Sequence, residues 1–397
     1  MGTSVSWLLI VVAVLPATGV MIFFVEVVAA LFSRQHSPLF PSAEARPSVA
    51  VLVPAHNEGS GLVPTLLNIK SQLLPHDRLL VIADNCSDGT AAIARAEGAE
   101  VVERNDPARR GKGFALDWGV QHLIPNPPAI VTVVDADCRL ADDALDRLVR
   151  ACALTGRPIQ SLYLMKAPSH SQINHQVAEF SWRVKNWLRP LGLFALGLPC
   201  QLMGTGMAFP WGLIKSANLS SAHLVEDLQL GLDLALAGHP PLFCPSSRVT
   251  SEFASSLRGA STQRKRWEQG HIQTILRAAS RLVAIAIARR DWNLLALALD
   301  LSVPPLSLLG MLVVGTFGLS LLYALLAGSF AALFVSTTAV LGFAIATFIA
   351  WLECGRDVVP PNSLLLIPSY AVRKLNLYFQ LALGRVDSQW TRTDRTK

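Results

Sequence analysis

The sequence predicts an α/β protein, in which a Rossmann-like, mostly parallel sheet forms a cytosolic domain flanked by transmembrane helices. Three features support this prediction: two long uncharged tracts, an alternation of strands and helices between them, and acidic residues at the strand ends. The chain has 397 residues, of which 51% are hydrophobic and 16% are charged. Soluble domains carry about 25% charged residues, so this composition indicates a membrane protein with a soluble part.

The two uncharged tracts, residues 2–25 and 301–352, predict transmembrane helices. Because a helix needs roughly 20 apolar residues to cross a bilayer, the first tract fits one helix and the second fits two, divided near residues 326–329. A cleaved signal peptide is the alternative for the first tract, but that tract lacks a basic n-region and is long for an h-region. We therefore expect an uncleaved anchor over residues 1–33.

Two further segments, residues 276–300 and 353–397, are expected near the membrane. The first is predicted as an amphipathic segment at the interface, and the second ends in a basic tail. Residues 363–384 are apolar but carry Arg373 and Lys374 in their middle, where charges are costly in a bilayer. This stretch lies in the interface, re-enters, or spans against partner helices, and the sequence leaves the three alternatives open.

The intervening residues 34–275 are long enough for one α/β domain with its own core. Basic residues gather at the borders of this domain: Arg34, Arg277, Arg281, Arg289 and Arg290. By the positive-inside rule, the domain faces the cytosol in a multi-pass protein of the inner or plasma membrane. Because these basic residues lie at the membrane borders and not along a groove, they argue against a nucleic-acid partner. The six cysteines show no metal-binding spacing and are expected as reduced thiols.

Within this domain, short β-branched runs alternate with stretches of helical spacing. The predicted strands are 48–55, 79–85, 99–104 and 129–137, and the predicted helices are 59–73, 89–97 and 111–123. This alternation favours a parallel sheet that binds its ligands at the carboxyl ends of the strands. Neither a GxGxxG nor a P-loop motif is present, which argues against dinucleotide or Walker-type ATP chemistry.

Acidic side chains follow two of these strands. Asp135 and Asp137 are two residues apart beyond a hydrophobic strand, so they point the same way and can share one hard cation, Mg²⁺ or Mn²⁺. Asp84 closes a neighbouring strand. Together the three carboxylates predict a metal site at this edge of the sheet.

Two other segments permit both a structural and a functional interpretation. Residues 109–113, with Lys112, are either a solvated turn or a loop that faces a nucleotide. Glu226 and Asp227 lie near the start of a helix predicted over residues 223–240, where carboxylates often only stabilise the helix dipole. In a cleft, such a carboxylate could instead deprotonate a hydroxyl.

Residues 179–199 mix two tryptophans with three basic residues: Trp182, Trp187, Arg183, Lys185 and Arg189. Helices of this kind tend to lie at the lipid interface, and we expect that position here. An ordinary amphipathic core helix is the alternative.

Seven motifs occur in the order found in a known family. They are VLVPAHNE (51–58), ADNCSDGT (83–90), GKGFALD (111–117), DAD (135–137), GTGMAF (204–209), ED (226–227) and QRKRW (263–267). The chain resembles, over roughly residues 48–270, the membrane-integrated family 2 glycosyltransferases, which include hyaluronan, chitin, cellulose and poly-N-acetylglucosamine synthases. This resemblance implies a GT-A fold and inverting transfer from a nucleotide sugar, expected to be a UDP-sugar, with Mg²⁺ or Mn²⁺.

The resemblance also implies roles for individual residues. Glu58 and Asp84 would lie by the nucleotide base, Lys112 would approach the nucleotide, and Asp135 and Asp137 would serve ribose, diphosphate and metal. Asp227, with Glu226 beside it, would be the general base. Gln263 and Arg266 are expected near the donor diphosphate. Trp267 would offer an aromatic face to the acceptor, near Gly204 and Thr205.

The motifs do not separate two behaviours of the family. One is synthesis of a cell-envelope or extracellular polysaccharide on a saccharide acceptor, with export partner proteins. The other is a single transfer to a membrane lipid of ceramide, hopanoid or polyprenyl type. The intact QxxRW motif slightly favours the first. A non-catalytic scaffold or transporter that only binds nucleotide sugar is the alternative of a different class, and the complete acidic set argues against it.

Overall fold

The computed structural model describes residues 2–33, 45–168, 173–220, 225–254, 257–366, 372 and 374–382. The chain forms two compact units. We call them the apolar unit, made of Met1–Ser33, Ser169–Gly197 and His271–Asp387, and the sheet unit, made of Arg34–Pro168, Leu198–Gly270 and Ser388–Lys397. The predicted domain of residues 34–275 is therefore interrupted, because Ser169–Gly197 belongs to the apolar unit.

The sheet unit is built on eight strands. They are β1 (Val49–Ala55), β2 (Arg78–Asp84), β3 (Glu100–Arg104), β4 (Ile130–Val133), β5 (Arg139–Leu140), β6 (Ile159–Lys166), β7 (Met207–Pro210) and β8 (Leu242–Glu252). Their order in the sheet is β3-β2-β1-β4-β7-β6-β8-β5. The first four of these pair in parallel, and they correspond to the four predicted strands.

The other half of the sheet is mixed. β7 runs antiparallel to both β4 and β6, and β5 runs antiparallel to β8, whereas β6 and β8 are parallel. The predicted α/β fold is confirmed, and the sheet is a mixed, GT-A-like one. Because β4 and β7 are antiparallel neighbours, the carboxyl end of β4 lies beside the turn that enters β7. This adjacency positions the candidate site.

Both units contain helices. They are α1 (Gly2–Ala30), α2 (Val63–Lys70), α3 (Thr90–Ala96), α4 (Lys112–Leu123), α5 (Ala144–Thr155), α6 (Ile173–Arg183), α7 (Arg189–Ala195), α8 (Trp211–Ser216), α9 (Glu226–Leu236), α10 (Leu257–Thr274), α11 (Ser280–Arg289), α12 (Trp292–Ser302), α13 (Leu306–Ala327), α14 (Ala331–Cys354) and α15 (Leu375–Ala382). Short 3₁₀ turns cover Gly59–Leu62 and Pro361–Leu366, and π-helical turns cover Val184–Leu188 and Ile275–Ala279.

The core of the sheet unit joins the parallel strands to α4, α8 and α9. Leu52, Ile82, Val131 and Phe209 come from four different strands and are almost completely buried. β1 is aliphatic on both faces, as expected for a central strand covered by helices on each side. The strand ends are thereby held in fixed positions.

In the apolar unit, α1 packs against α7, α13 and α14. A Cβ atom on Gly192 would lie 1.9 Å from the carbonyl oxygen of Glu26, so the backbones of α7 and α1 touch at this glycine. Arg189 forms ion pairs with Glu26 and Asp300, both at 2.5 Å, and all three side chains are buried. Arg189 is thus covered by protein, and the interface position expected for residues 179–199 stays a prediction.

Four helical segments are long and apolar enough to cross a membrane, judged by length and composition among the described residues. They are Ser4–Ala30, Lys265–Arg289, Leu306–Ala327 and Ala331–Cys354. The second of them was expected as the end of the cytosolic domain followed by an interfacial segment. α13 and α14 are separated at Gly328, where the division was predicted. Of residues 363–384, only parts are described, and Arg373 lies outside them.

Candidate active site

The loops that follow β1 and β2 are tied together at the carboxyl edge of the sheet. The hydroxyl of Thr90 accepts hydrogen bonds from the N–H groups of Glu58 and Gly59, both at 3.0 Å, and donates to Asp88 at 2.6 Å. The ring of His56 donates to the carbonyl of Asp84 at 2.7 Å. Glu58, in the loop after β1, and Asp84, the last residue of β2, were both predicted beside the nucleotide base, and these bonds connect the two segments.

Asp84 has a partner that sequence reasoning missed. Its carboxylate accepts a hydrogen bond from the Arg104 guanidinium at 2.6 Å, and both side chains are largely buried. The same guanidinium pairs with Asp106 at 3.2 Å and lies over the ring of Phe114, 5.4 Å from its centroid. The sequence offered one indication of this pair, since a basic residue, Arg104, ends the predicted strand 99–104.

Beyond β4, Asp135 and Asp137 lie close together, as predicted. One ligand atom from each of Asp135, Asp137 and Cys138 falls within 4.8 Å of the others. Carboxylate oxygens are the donors that Mg²⁺ and Mn²⁺ prefer, so the two aspartates fit such an ion. Cys138 is completely buried and adds a softer sulfur atom, which sequence reasoning did not include.

The segment that carries these aspartates is anchored from several elements. Asp135 donates its backbone N–H to the hydroxyl of Thr205 at 3.0 Å. The hydroxyl of Thr65 donates to the carbonyl of Ala136 at 2.5 Å and accepts from Arg139. These bonds hold the backbone around the two candidate metal-binding carboxylates.

Thr205 belongs to a turn, Gly204-Thr205-Gly206, whose glycines are required by geometry. Their φ angles are +91° and +62°, which disfavour any residue with a side chain. A Cβ on Gly206 would lie 1.8 Å from the hydroxyl oxygen of Ser161. The buried amide of Gln160 donates to the Thr205 carbonyl at 2.9 Å and accepts from the N–H of Met203 at 2.7 Å. Gln160 is another residue that sequence reasoning missed.

Thr205 is fully buried, so the structure places it behind Asp135 in a supporting position. A direct contact between Thr205 and an acceptor stays a prediction.

Lys112, the first residue of α4, connects the turn to Asp135, one of the two candidate metal-binding aspartates. Its ammonium forms an ion pair with Asp135 and donates a hydrogen bond to the carbonyl of Gly204 at 2.5 Å. The preceding residue, Gly111, has a φ of +140°, which lets the chain turn sharply into the helix. Burial lowers the pKa of Lys112, but the nearby carboxylates of Asp135, Glu226 and Asp227 outweigh it and hold that pKa above its ordinary value.

Glu226 and Asp227 form the first turn of α9 and face the same cluster. A Cβ on Gly204 would lie 3.3 Å from a carboxylate oxygen of Asp227 and 3.8 Å from the Lys112 ammonium. Burial and the charge of Asp227 raise the pKa of Glu226 to about 7, and Lys112 opposes this shift. One ammonium thus stands among three carboxylates, of which Asp135 comes from the loop after β4 and Glu226 and Asp227 come from α9.

A crevice opens beside this cluster. Its polar wall is formed by Lys112, Asn218, Glu226 and Asp227, and its apolar wall by Leu116, Met207, Leu219 and Leu230. The base candidate Asp227 therefore borders on both a charged and an apolar surface.

The remaining predicted residues, Gln263, Arg266 and Trp267, lie on α10. Gln263 is buried, and its side-chain oxygen has no hydrogen-bond partner in the part of the chain that the structure describes. Arg266 and Trp267 are partly buried. The structure thus brings Lys112, Asp135 and Asp227 together with their neighbours. The hydrogen bonds and ion pairs given above do not include the three residues of α10.

The sequence of the sheet unit matches a known family. Residues 47–270 match the family described as glycosyltransferase like family 2. A probable glycosyltransferase of Bacillus subtilis, YdaM, is 26% identical over 247 residues, which cover 58% of this chain and 57% of that protein. A 4,4'-diaponeurosporenoate glycosyltransferase of Staphylococcus aureus is 33% identical over 133 residues, 32% of this chain and 34% of that protein. The chain thus spans little more than half of one relative and a third of the other.

Solved structures with a similar fold include a mannosyltransferase. PcManGT from Pyrobaculum calidifontis, in complex with GDP-Man and Mn²⁺, has a TM-score of 0.49 and 19% identity, and the match covers 94% of this chain and 100% of that one. Glucosyl-3-phosphoglycerate synthase from Mycobacterium tuberculosis, in complex with Mn²⁺ and UDP, has a TM-score of 0.37 and 20% identity over 59% of this chain and 83% of that one.

Proposed function

The chain belongs to glycosyltransferase-like family 2, and we propose that it is an inverting, metal-dependent enzyme that transfers a sugar from a nucleotide sugar to a saccharide acceptor at the cytosolic membrane face. One observation carries this proposal. A candidate base, Asp227, stands beside the lysine that is paired with the metal-binding residue Asp135. Inverting transfer uses both parts, because a base takes the proton of the acceptor hydroxyl while positive charge stabilises the departing diphosphate.

The reaction follows from the roles of these residues. Asp227 takes the proton of an acceptor hydroxyl, and the hydroxyl oxygen forms a bond to the anomeric carbon. The bond from that carbon to the diphosphate breaks on the opposite face, and the nucleoside diphosphate leaves with the electron pair. A single displacement inverts the configuration. Lys112 supplies positive charge where the leaving group becomes more negative.

Asp135 and Asp137 would hold a divalent ion, Mg²⁺ or Mn²⁺. Bound there, such an ion would neutralise charge on the diphosphate. The oxygen donors of both residues suit either ion, and the Cys138 thiol lies within reach of the same position. Thr205 and Thr65 keep the supporting backbone in place.

The nucleotide and the α10 residues complete the proposed donor site. Glu58 and Asp84 lie at the connected carboxyl ends of β1 and β2, where a nucleotide base would bind. A UDP-sugar is the expected donor. Gln263 has a buried amide oxygen without a partner in the described structure, so it is suited to accept a hydrogen bond from a sugar hydroxyl. Arg266 would bind the diphosphate, and Trp267 would stack on the acceptor sugar.

A single transfer to a membrane lipid is the second candidate. The crevice beside Asp227 is lined in part by the apolar side chains of Leu116, Met207, Leu219 and Leu230. The Staphylococcus aureus relative, named for glycosylation of diaponeurosporenoate, is consistent with this alternative. In that case the acceptor hydroxyl or carboxyl group would reach Asp227 from the lipid.

We also propose that α1, α13 and α14 cross the membrane and that Lys265–Arg289 does not. That segment is long enough to cross, but Arg277 stands at its midpoint and Arg281 lies one turn further along. Both side chains are exposed, so a crossing would place two unpaired guanidinium groups in hydrocarbon. An interfacial position lets both arginines reach the lipid headgroups.

The experiment that tests the proposed function is a donor screen on the full-length, detergent-purified protein. Each nucleotide sugar is incubated with Mg²⁺ or Mn²⁺ and a bacterial lipid extract, and products are separated by size. A ladder or a high-mass product supports transfer to a saccharide, and one discrete lipid-soluble product supports the second candidate. Intact donors and no released diphosphate in every reaction would contradict both and favour a non-catalytic binding protein.

A further inference from the structure

We propose that Lys112 is the counter-ion of the metal-binding aspartates in the donor-free protein, and that it opposes binding of a divalent ion to Asp135 until a nucleotide diphosphate arrives. This inference rests on the proposed function for its ligand class, but its test does not use sugar transfer. Lys112 would thereby determine the order in which the nucleotide and the divalent ion bind, in addition to contacting the nucleotide.

Lys112 and a metal ion need the same carboxylate. The Lys112 ammonium is paired with Asp135, whose ligand oxygen also lies within 4.8 Å of the Asp137 oxygen. A divalent ion held by both aspartates would therefore sit close to the ammonium. Like charges at this range repel each other strongly when water is partly excluded.

The Lys112 ammonium is also held firmly at this position. It also donates to the Gly204 carbonyl at 2.5 Å, and its side chain is only 18% exposed. Because Lys112 is the first residue of α4 and follows the turn at Gly111, its backbone position is set by the helix. Lys112 is thus a built-in partner of Asp135 and not a surface lysine that meets it by chance.

A nucleotide diphosphate would release the Lys112 ammonium from Asp135. A nucleoside diphosphate brings several negative charges, to which a lysine ammonium is a good point-charge partner. Once Lys112 pairs with the diphosphate, Asp135 becomes available to the metal ion. Because linkage is reciprocal, the nucleotide then strengthens metal binding by the same factor by which the metal strengthens nucleotide binding.

The test measures Mn²⁺ binding to the full-length protein in detergent, from the electron paramagnetic resonance signal of free Mn²⁺, with and without UDP. Removing the charge in Lys112→Met is expected to tighten Mn²⁺ binding about tenfold without UDP, and to shrink the enhancement by UDP. Lys112→Gln, which keeps a donor for the Gly204 carbonyl, is expected to behave in the same way. It serves as the second variant if Lys112→Met does not fold.

The matched control is Lys70→Met. Lys70 lies in the same unit and donates to the Glu97 carbonyl at 2.6 Å, so this variant removes one positive charge away from the aspartates. It is expected to leave Mn²⁺ binding unchanged. Adding Asp135→Asn to Lys112→Met is expected to abolish the gain.

The proposal is overturned if Lys112→Met and Lys112→Gln bind Mn²⁺ without UDP no more tightly than the parent protein. It is also overturned if the Lys70 variant shows the same gain, since the effect would then be one of overall charge. A failed donor screen would contradict the proposed function, but it would leave tighter Mn²⁺ binding in the Lys112 variants as independent support for this inference.

Discussion

The hydroxyl of Thr205 accepts a hydrogen bond from the backbone N–H of Asp135 at 3.0 Å, across 70 residues of sequence. Thr205 lies in the turn that enters β7, and Asp135 lies just beyond β4, so the antiparallel pairing of these strands creates the contact. The position of a candidate metal-binding carboxylate thus depends on a buried side chain from a distant part of the sequence.

Replacing Thr205 by valine keeps the shape of the side chain but removes this acceptor. The Asp135 N–H then loses its partner, which is expected to lower the free energy of unfolding by about 1–3 kcal/mol. Mn²⁺ binding in the presence of UDP is expected to weaken, because Asp135 is less well held. Melting temperature and Mn²⁺ affinity measure the two effects. Thr205→Ser, which keeps the hydroxyl, is the control, and equal losses in both variants would contradict this role.

Glu226 predicts a pH dependence of stability. The ordinary pKa of its carboxyl group, 4.5, applies to the unfolded chain. In the folded protein, burial and the negative charge of Asp227 raise this pKa to about 7. Between these pH values the unfolded chain binds fewer protons, so this residue lowers stability as the pH rises, and the penalty is complete above pH 7. Glu226→Gln cannot ionise, so it is expected to be more stable than the parent protein at pH 8, by about 1–2 kcal/mol, but not at pH 4.5.

Melting temperatures measured between pH 4.5 and pH 8 test this expectation. Glu252→Gln changes an exposed glutamate of the same unit and is the control, with no difference expected across the range. A constant difference between Glu226→Gln and the parent protein at all pH values would show that burial of an ionised Glu226 is not the cause.

The proposed membrane arrangement predicts on which side of the membrane Asn293 lies. Asn293 is exposed at the start of α12, directly after the Lys265–Arg289 segment, so it lies on the same side as the sheet unit if that segment does not cross. Asn293→Cys and Ser87→Cys are introduced separately after Cys86→Ser, since the other five cysteines are buried. A membrane-impermeant maleimide is expected to label both in inside-out vesicles and neither in right-side-out vesicles. Labelling of Asn293→Cys from the opposite side would show that the segment crosses.

Local sequence patterns were sufficient to predict part of this site. Asp84, Asp135 and Asp137 follow aliphatic runs, and such runs predict buried parallel strands whose carboxyl ends share one edge. The motif order added Asp227 and Lys112. The strands were predictable because strand length and alternation depend on neighbouring residues in the chain, while the roles assigned to these five residues stay predictions.

The parts that could not be predicted depend on distant contacts. Nothing near Gln160 in the sequence indicates that its buried amide holds the turn around Thr205, 45 residues away. The pairing of Arg104 with Asp84 requires β2 and β3 to be neighbours, and the antiparallel strand β7 has no signal of its own. The burial of Arg189 against Glu26 similarly requires two helices that are 163 residues apart to meet.

The most direct test of the proposed mechanism is sugar transfer by Asp227→Asn, compared with Asp233→Asn. Both residues lie on α9, but Asp233 is exposed and paired with Gln229, so it is the matched control. With the donor identified in the screen, Asp227→Asn is expected to bind UDP normally and to transfer sugar about 10²–10⁴ times more slowly than the parent protein, while Asp233→Asn transfers at the parental rate. Full transfer activity in Asp227→Asn would contradict its role as the base.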